Sequence, residues 1–297
     1  MKSIEFVLPP LLSEALCAFA ARESLESLEA RALDPKQRKF LLSELDSPAW
    51  RFMIKKIARI WSAYDHAIIR GLPIVGEGTT TLLLALVLGS EFKSYRSDKI
   101  VKYFKTSPWT TELSQSLREG DFHTDLSTSL SPPRVTLIHC REPDPTPGCG
   151  ILRIVRVPDL LAELRRKGAD KALELLLTDT VEMVDERAEG AWSGIMASES
   201  TIRFHPATLK AASRRGFEFS NNLEQQLSVI REAALAKSAP IELQSGDALL
   251  VSNSRALHYR GECTVQYSDF PRHFKTREIH VLHLHDEPTW QEKNLKT

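Results

Sequence analysis

The sequence predicts an α+β fold built on an antiparallel sheet. Three observations predict it. Apolar runs of strand length are mixed with amphipathic helical stretches, and those helices bunch at the N-terminus and in the middle instead of alternating with strands. No Gly-rich phosphate loop follows a strand, so a nucleotide-binding parallel sheet lacks its signature. The 297 residues are 42% hydrophobic, enough for a substantial core, and no Pro/Gly/Ser-rich linker, repeat or low-complexity run divides them.

The elements follow in order. Residues 10–28 read as a helix, with Leu11, Leu12, Ala15, Leu16 and Phe19 at helical spacing. Residues 50–63 read as a second, with Phe52, Ile54, Ile57, Ile60 and Trp61 as its apolar stripe. Residues 66–71 form a short strand closed by a turn, and the apolar run 79–88 a helix. Strands are expected at 133–140, 151–157 and 180–185, and helices at 158–167 and 169–178, parted by Gly168. Residues 201–205 read as a short strand. The clearest helix is 221–236, with Asn221 as N-cap and Leu223, Leu227 and Ile230 on one face. Strands at 241–243, 248–252 and 278–285 complete the set.

Composition excludes some functions. Lys+Arg and Asp+Glu number 39 each, so bulk charge gives no reason to expect a nucleic-acid partner. The four cysteines (Cys17, Cys140, Cys149, Cys263) show no Cys-x-x-Cys spacing and read as buried thiols, although Cys140 and Cys149 flank a turn. Residues 6–20 are fairly apolar and end in small residues, but Glu5, Glu14 and Pro9-Pro10 break the pattern of an export signal. No run reaches the ~20 apolar residues of a membrane span. The expectation is a soluble cytoplasmic protein that acts on a small molecule, with neither nucleic acid nor membrane as partner.

The chemistry concentrates in two places. Residues 121–125 read Asp-Phe-His-Thr-Asp, and in an extended segment His123 and Asp125 share a face. His258 lies far along the chain in Asn253-Ser254-Arg255-Ala256-Leu257-His258. Two imidazoles and one carboxylate are the ligand set of the facial triad, which holds non-haem Fe(II) and leaves positions open.

The surrounding blocks add to this. Ser131-Pro132-Pro133 and an apolar strand follow the first motif, and Arg277-Glu278-Ile279-His280-Val281 opens the last strand. In this order the blocks resemble the taurine dioxygenase and clavaminate synthase-like branch of the Fe(II)/2-oxoglutarate-dependent oxygenases, over residues 66–286. The resemblance implies a double-stranded β-helix (jelly-roll) core with flanking helices, in a single oxygenase domain. Its parts would be a helical N-terminal region (1–65), the core (66–157 and 241–286) and an insert or lid over the active-site mouth (158–240). It implies Fe(II) held by His123, Asp125 and His258, 2-oxoglutarate as cosubstrate and O₂, and hydroxylation of an unactivated C–H bond of an amino acid or natural-product intermediate, with release of succinate and CO₂.

The far carboxylate of 2-oxoglutarate suits an arginine, whose planar fork matches it with two charge-assisted hydrogen bonds. Arg277 is the better local match to the family's arginine, and Arg272 is the alternative. The chain departs from the family twice: Ile151 stands where many members place a threonine that supports the same carboxylate, and Val281 replaces the second inward arginine of taurine-type members. Taurine is therefore a poor substrate expectation.

Of the nine histidines, His280, His283 and His285 share the last strand, with His283 and His285 on the face of Arg277. A second metal pair from His283 and His285 is the alternative to ordinary strand histidines. His139 reads as a hydrogen-bonded core residue, and His66, His205 and His273 carry no motif. Trp109, Phe122, Leu126, Trp192 and Arg203 are candidates to line the substrate pocket. Two rival functions remain at this level. A zinc hydrolase using the same ligands is separated by metal content and O₂ dependence, and a catalytically silent jelly-roll that binds a ligand is separated by turnover.

Overall fold

The structure is a computed structural model that describes residues 4–95, 98–185, 190–220 and 222–286. The chain opens with a short strand, β1 (Glu5–Val7), followed by α1 (Pro10–Ala20), α2 (Leu25–Leu33), α3 (Pro35–Leu45) and α4 (Pro48–Tyr64). The single helix expected over 10–28 is two, because Ser24 is extended and its side chain accepts from the Ser27 N–H, which starts a new helix. Asp34 caps α3 in the same way, accepting from Lys36 and Gln37 ahead of Pro35 at the first helical position. The buried stripe of α4 is Trp50, Met53, Ile57 and Trp61; Phe52 faces solvent.

The remaining elements are β2 (His66–Arg70), α5 (Thr79–Leu88), β3 (Lys102–Lys105), β4 (Val135–Glu142), β5 (Leu152–Arg156), α6 (Val157–Arg166), α7 (Asp170–Leu177), β6 (Thr180–Val184), β7 (Ala191–Ile195), α8 (Pro206–Arg214), α9 (Leu223–Lys237), β8 (Ala239–Ile241), β9 (Ala248–Ser252), β10 (Ala256–Arg260), β11 (Val265–Asp269), β12 (His273–Thr276) and β13 (Glu278–Leu284). Asn221, expected to cap α9, lies outside the described residues; Asn222 makes the cap by accepting from the Gln225 N–H. The expected strand at 201–205 is reduced to a single bridge between Ile202 and Ala197.

The strands form two main sheets. The larger has the order β1-β2-β9-β4-β13-β3 and is antiparallel except for the β1–β2 pair. The smaller has the order β10-β5-β8 and is antiparallel throughout. Between them lies an apolar layer in which Ile68, Ile138, Leu249, Val251, Ile279 and Val281 of the larger sheet meet Leu152, Ile154, Ile241 and Ala256 of the smaller. The opposite face of the larger sheet carries Leu137, Leu250, Leu282 and Leu284 and packs on the N-terminal helices and α5. The outer face of the smaller sheet, through Val155, Leu257 and Tyr259, packs on α6, α7 and α9.

Two polar ties join these layers. Asp65, which ends α4 in a left-handed conformation, accepts from Arg156 Nε at 2.8 Å and Arg255 Nε at 2.6 Å. These arginines flank β5 and β10, so the helical layer is fixed to the smaller sheet. Glu29 on α2, buried, accepts from the backbone N–H groups of Ile100 and Val101 at 2.7 and 2.8 Å and so fixes the entry to β3.

Two histidines sit fully inside the helix–sheet layer. His139 on β4 meets Thr81 Oγ1 at 2.8 Å, and His280 on β13 lies beside it with ring centroids 6.1 Å apart. Burial pushes His139 down to about 4 and His280 to about 3. Both are neutral when folded and regain an ordinary value near 6.5 when unfolded. Because the unfolded chain then binds more protons, stability is full above about pH 6.5 and falls as the pH drops toward about 4. We expect the urea midpoint to be flat above pH 7 and to fall below pH 6, with a shallower fall in His139→Gln; equal slopes for the two proteins would contradict this.

Candidate metal centre

Residues 121–125 run extended beside the free edge of β10. His123 and His258 exchange both backbone hydrogen bonds, with His123 N–H donating to His258 O at 3.0 Å and His258 N–H to His123 O at 3.1 Å. Directly paired residues in an antiparallel ladder point to one face, and the two imidazole rings are 4.4 Å apart. Asp125, two residues on, falls on that face too. Its Oδ1 is 3.6 Å from His123 Nε2 and its Oδ2 3.4 Å from His258 Nε2. One ligand atom from each residue lies within 4.8 Å of the others.

Asn253 explains why the second motif contains an asparagine. Its Oδ1 accepts from the Asp125 N–H at 2.6 Å, and its Nδ2 donates to the carbonyls of Asp125 (3.0 Å) and Pro133 (2.9 Å). One buried amide therefore ties the His-x-Asp segment to the turn that leads into β10. Immediately beyond, Leu126 takes φ 52°, which swings the chain away from the site. Thr124 pairs with Phe204, its N–H donating to Phe204 O at 2.7 Å and its Oγ1 accepting from Phe204 N–H at 3.1 Å. That brings the His205 ring to 5.0 Å from His123.

The donor set suits a divalent cation. His123 Nδ1–H donates to the Asp121 carbonyl at 2.7 Å, which leaves the Nε2 lone pair facing Asp125. Burial opposes ionisation of Asp125, but the neighbouring imidazoles of His258, His123 and His283 outweigh it and hold the carboxyl well below its usual range. Burial lowers His258, while at His123 the nearby Asp125 carboxylate overcomes burial and raises it. An anionic carboxylate next to two imidazole lone pairs matches what non-haem Fe(II) requires.

Asp125 Oδ2 is held further by Thr136 Oγ1, which donates at 2.6 Å, and by His283 Nε2 at 3.2 Å. The hydroxyl of Tyr95 meets His283 Nδ1. Thr136 and His283 are register partners on β4 and β13, so the sheet delivers both to one oxygen. His285 joins no such cluster among the described residues.

Arg277 precedes β13 and alternates onto the interior face of Ile279, Val281 and His283. It is 6% exposed, and among the described residues its guanidinium forms no ion pair; burial lowers its pKa. It lines a hollow of about 180 Å³ with Cys140, Gly148, Gly150, Ile151 and Ile279. Gly150 has φ +64°, and a Cβ there would sit 3.2 Å from Arg277 Cδ, so glycine makes room for the arginine. Arg272 stands exposed at the turn of the β11–β12 hairpin.

The five candidate substrate residues are not brought together. Phe122 is buried and stacked on Tyr259 at 5.1 Å. Leu126 is half-exposed beside Asp125. Trp192 and Arg203 stack, with the guanidinium 4.6 Å from the ring, and line a separate hollow of about 220 Å³ next to Asn253. Trp109 is exposed. A larger cleft, about 780 Å³, follows the edge strand β3 and is lined by Tyr95, Lys102, Phe104, Glu112, Gln115 and Arg141 among others. Lys102 Nζ lies 3.4 Å from the centre of the Tyr95 ring, so this cleft ends two hydrogen bonds from Asp125. No motif marks these residues; only the pairing of β3 with β13 places them.

The fold is shared with solved structures of non-haem iron oxygenases. Asparagine oxygenase, solved with Fe(II), 3-hydroxyasparagine and succinate, is similar at 16% identity with a TM-score of 0.71, over 95% of this chain and 93% of that one. The non-haem iron oxygenase OrfP, solved with Fe and α-ketoglutaric acid, is similar at 14% identity and a TM-score of 0.62, over 94% and 93%. No protein-family model and no curated protein sequence matches the chain.

Asn253 generates a prediction. Asn253→Ala removes its three hydrogen bonds while leaving every candidate ligand in place. Residues that orient ligands typically contribute about 10–100-fold to metal affinity. Calorimetric titration with Co(II) should show a loss of that size in a chain that circular dichroism finds folded; wild-type affinity would refute the role.

Proposed function

We propose that the chain is an Fe(II)/2-oxoglutarate-dependent oxygenase that hydroxylates an unactivated C–H bond of an amino acid or natural-product intermediate. The observation that carries this reading is a three-donor cluster with a carboxylate held in its ionised form, on the same interior as a buried arginine that has no ion-pair partner among the described residues. The two facing sheets, with the His123 segment beside β10, correspond on this reading to the double-stranded β-helix. Asparagine oxygenase with its hydroxyasparagine and OrfP with its hydroxyarginine support an amino-acid-like substrate.

The residues take separate roles. His123, Asp125 and His258 hold the metal on one side and leave the opposite side open. Arg277 would pair with the far carboxylate of 2-oxoglutarate in the hollow that it lines with Ile279. When bound, Fe(II) with 2-oxoglutarate and O₂ supplies the oxidising power for C–H hydroxylation, one oxygen atom entering succinate and the other the product. The cleft along β3 receives the substrate, with Lys102 and Arg141 offering positive charge and Glu112 negative charge to a polar or dipolar molecule. The protein's contribution to rate is to hold the substrate carbon near the open face of the metal.

Two tests follow. His123→Ala and His258→Ala should each abolish anaerobic binding of one Fe(II) per chain and 2-oxoglutarate turnover; retained binding in either would reject the triad. Arg277→Ala should keep Fe(II) but lose about 3–5 kcal/mol of 2-oxoglutarate affinity, because an unpaired buried carboxylate is left behind. Arg277→Lys should recover part, since charge returns without the fork, and Arg272→Ala should change little. The measurement is titration of the Fe(II)–2-oxoglutarate charge-transfer band, and loss of that band in Arg272→Ala alone would reverse the assignment.

A further inference from the structure

We propose that His283, oriented by Tyr95, is a positioning residue that keeps Asp125 a one-oxygen ligand and so preserves the open face of the metal. The inference rests on the reading above only in requiring a divalent ion at the triad.

Burial raises the pKa of the Tyr95 hydroxyl, so it keeps its proton. Donating that proton to His283 Nδ1 makes Nδ1 the acceptor and places the ring hydrogen on Nε2. The Nε2–H then donates to Asp125 Oδ2 at 3.2 Å. The opposite tautomer would aim an Nε2 lone pair at a carboxylate oxygen, so both ends of the chain of bonds select the same state. Thr136 Oγ1 donates to the same oxygen at 2.6 Å. A carboxylate oxygen has two lone pairs, and two donors occupy both. Oδ1 receives neither donor; it faces His123 Nε2 at 3.6 Å, while His258 Nε2 stands 3.4 Å from Oδ2.

The consequence concerns coordination number. A free carboxylate can take a metal with both oxygens, which would fill one of the three positions that the facial triad leaves open. Tying Oδ2 to β4 and β13 prevents this. His283 is 7% exposed and rigidly seated, so the restraint is built into the sheet. The arrangement also accounts for a histidine on this face of β13.

Mn(II) tests this without turnover, because the relaxation of bulk water protons scales with the number of exchangeable waters on the bound ion. With one Mn(II) bound per chain, His283→Leu should relax water about one third less than wild type, as one of three open positions is lost. His283→Gln, whose amide N–H can reach Oδ2, should restore the wild-type value, and Tyr95→Phe should fall between. Wild-type relaxation in Mn(II)-loaded His283→Leu overturns the proposal. If that variant fails to fold by circular dichroism, unchanged relaxation in Tyr95→Phe overturns it instead. A wild-type chain that binds Mn(II) but shows no 2-oxoglutarate charge-transfer band with Fe(II) would reject the oxygenase reading and leave this one standing.

Discussion

The site depends on one pair of backbone hydrogen bonds, those between His123 and His258. With Gly120 N–H donating to Arg260 O at 2.8 Å, they fix the register between this segment and the edge of the smaller sheet. A slip of one residue would turn His123 and Asp125 to the opposite face together, because side chains alternate with period two. Register here is therefore equivalent to the existence of the donor cluster, and much of the surrounding structure protects it. Asn253 ties the segment to the turn before β10, Thr124 ties it to Phe204, and Phe122 anchors it by stacking on Tyr259.

The second layer of support comes from the sheets. β4 and β13 pair over most of their length, and that register sets Thr136 beside His283. Arg277, Ile279, Val281 and His283 then form one interior row, with a guanidinium at one end and the Asp125 network at the other. Charge is thus separated along a mostly apolar wall. An arginine so buried, with no ion-pair partner among the described residues, costs stability.

The sequence made some of this legible and hid the rest for identifiable reasons. β4, β9 and β13 and helices α4, α5 and α9 were readable because each carries a long apolar or periodic run. β10 was not read as a strand, since Ala-Leu-His-Tyr-Arg has no clean alternation and is buried by neighbours on both sides. β3, β7 and the β11–β12 hairpin are short and half-exposed, and their pairing partners define them. α3 and α8 were missed although Asp34-Pro35 is a start signal that can be seen in the residues. At the site, local motifs marked His123, Asp125, His258 and Arg277. Tyr95, Lys102, Thr136 and His205 come from four separate segments and carry no motif, so only tertiary pairing assembles them.

The clamp from Glu29 to the backbone of Ile100 and Val101 has an effect far from where it acts. The near wall of the cleft along β3 is an edge strand, and edge strands can peel away or recruit foreign strands. Here the strand's root is fastened to a helix of the N-terminal layer, and Lys102 and Lys105 discourage pairing along the strand itself. Through Glu29, α2 is therefore a mechanical part of the cleft. Grafting the two facing sheets alone onto another helical layer would carry the His123, Asp125 and His258 cluster along and leave the footing of this cleft wall behind.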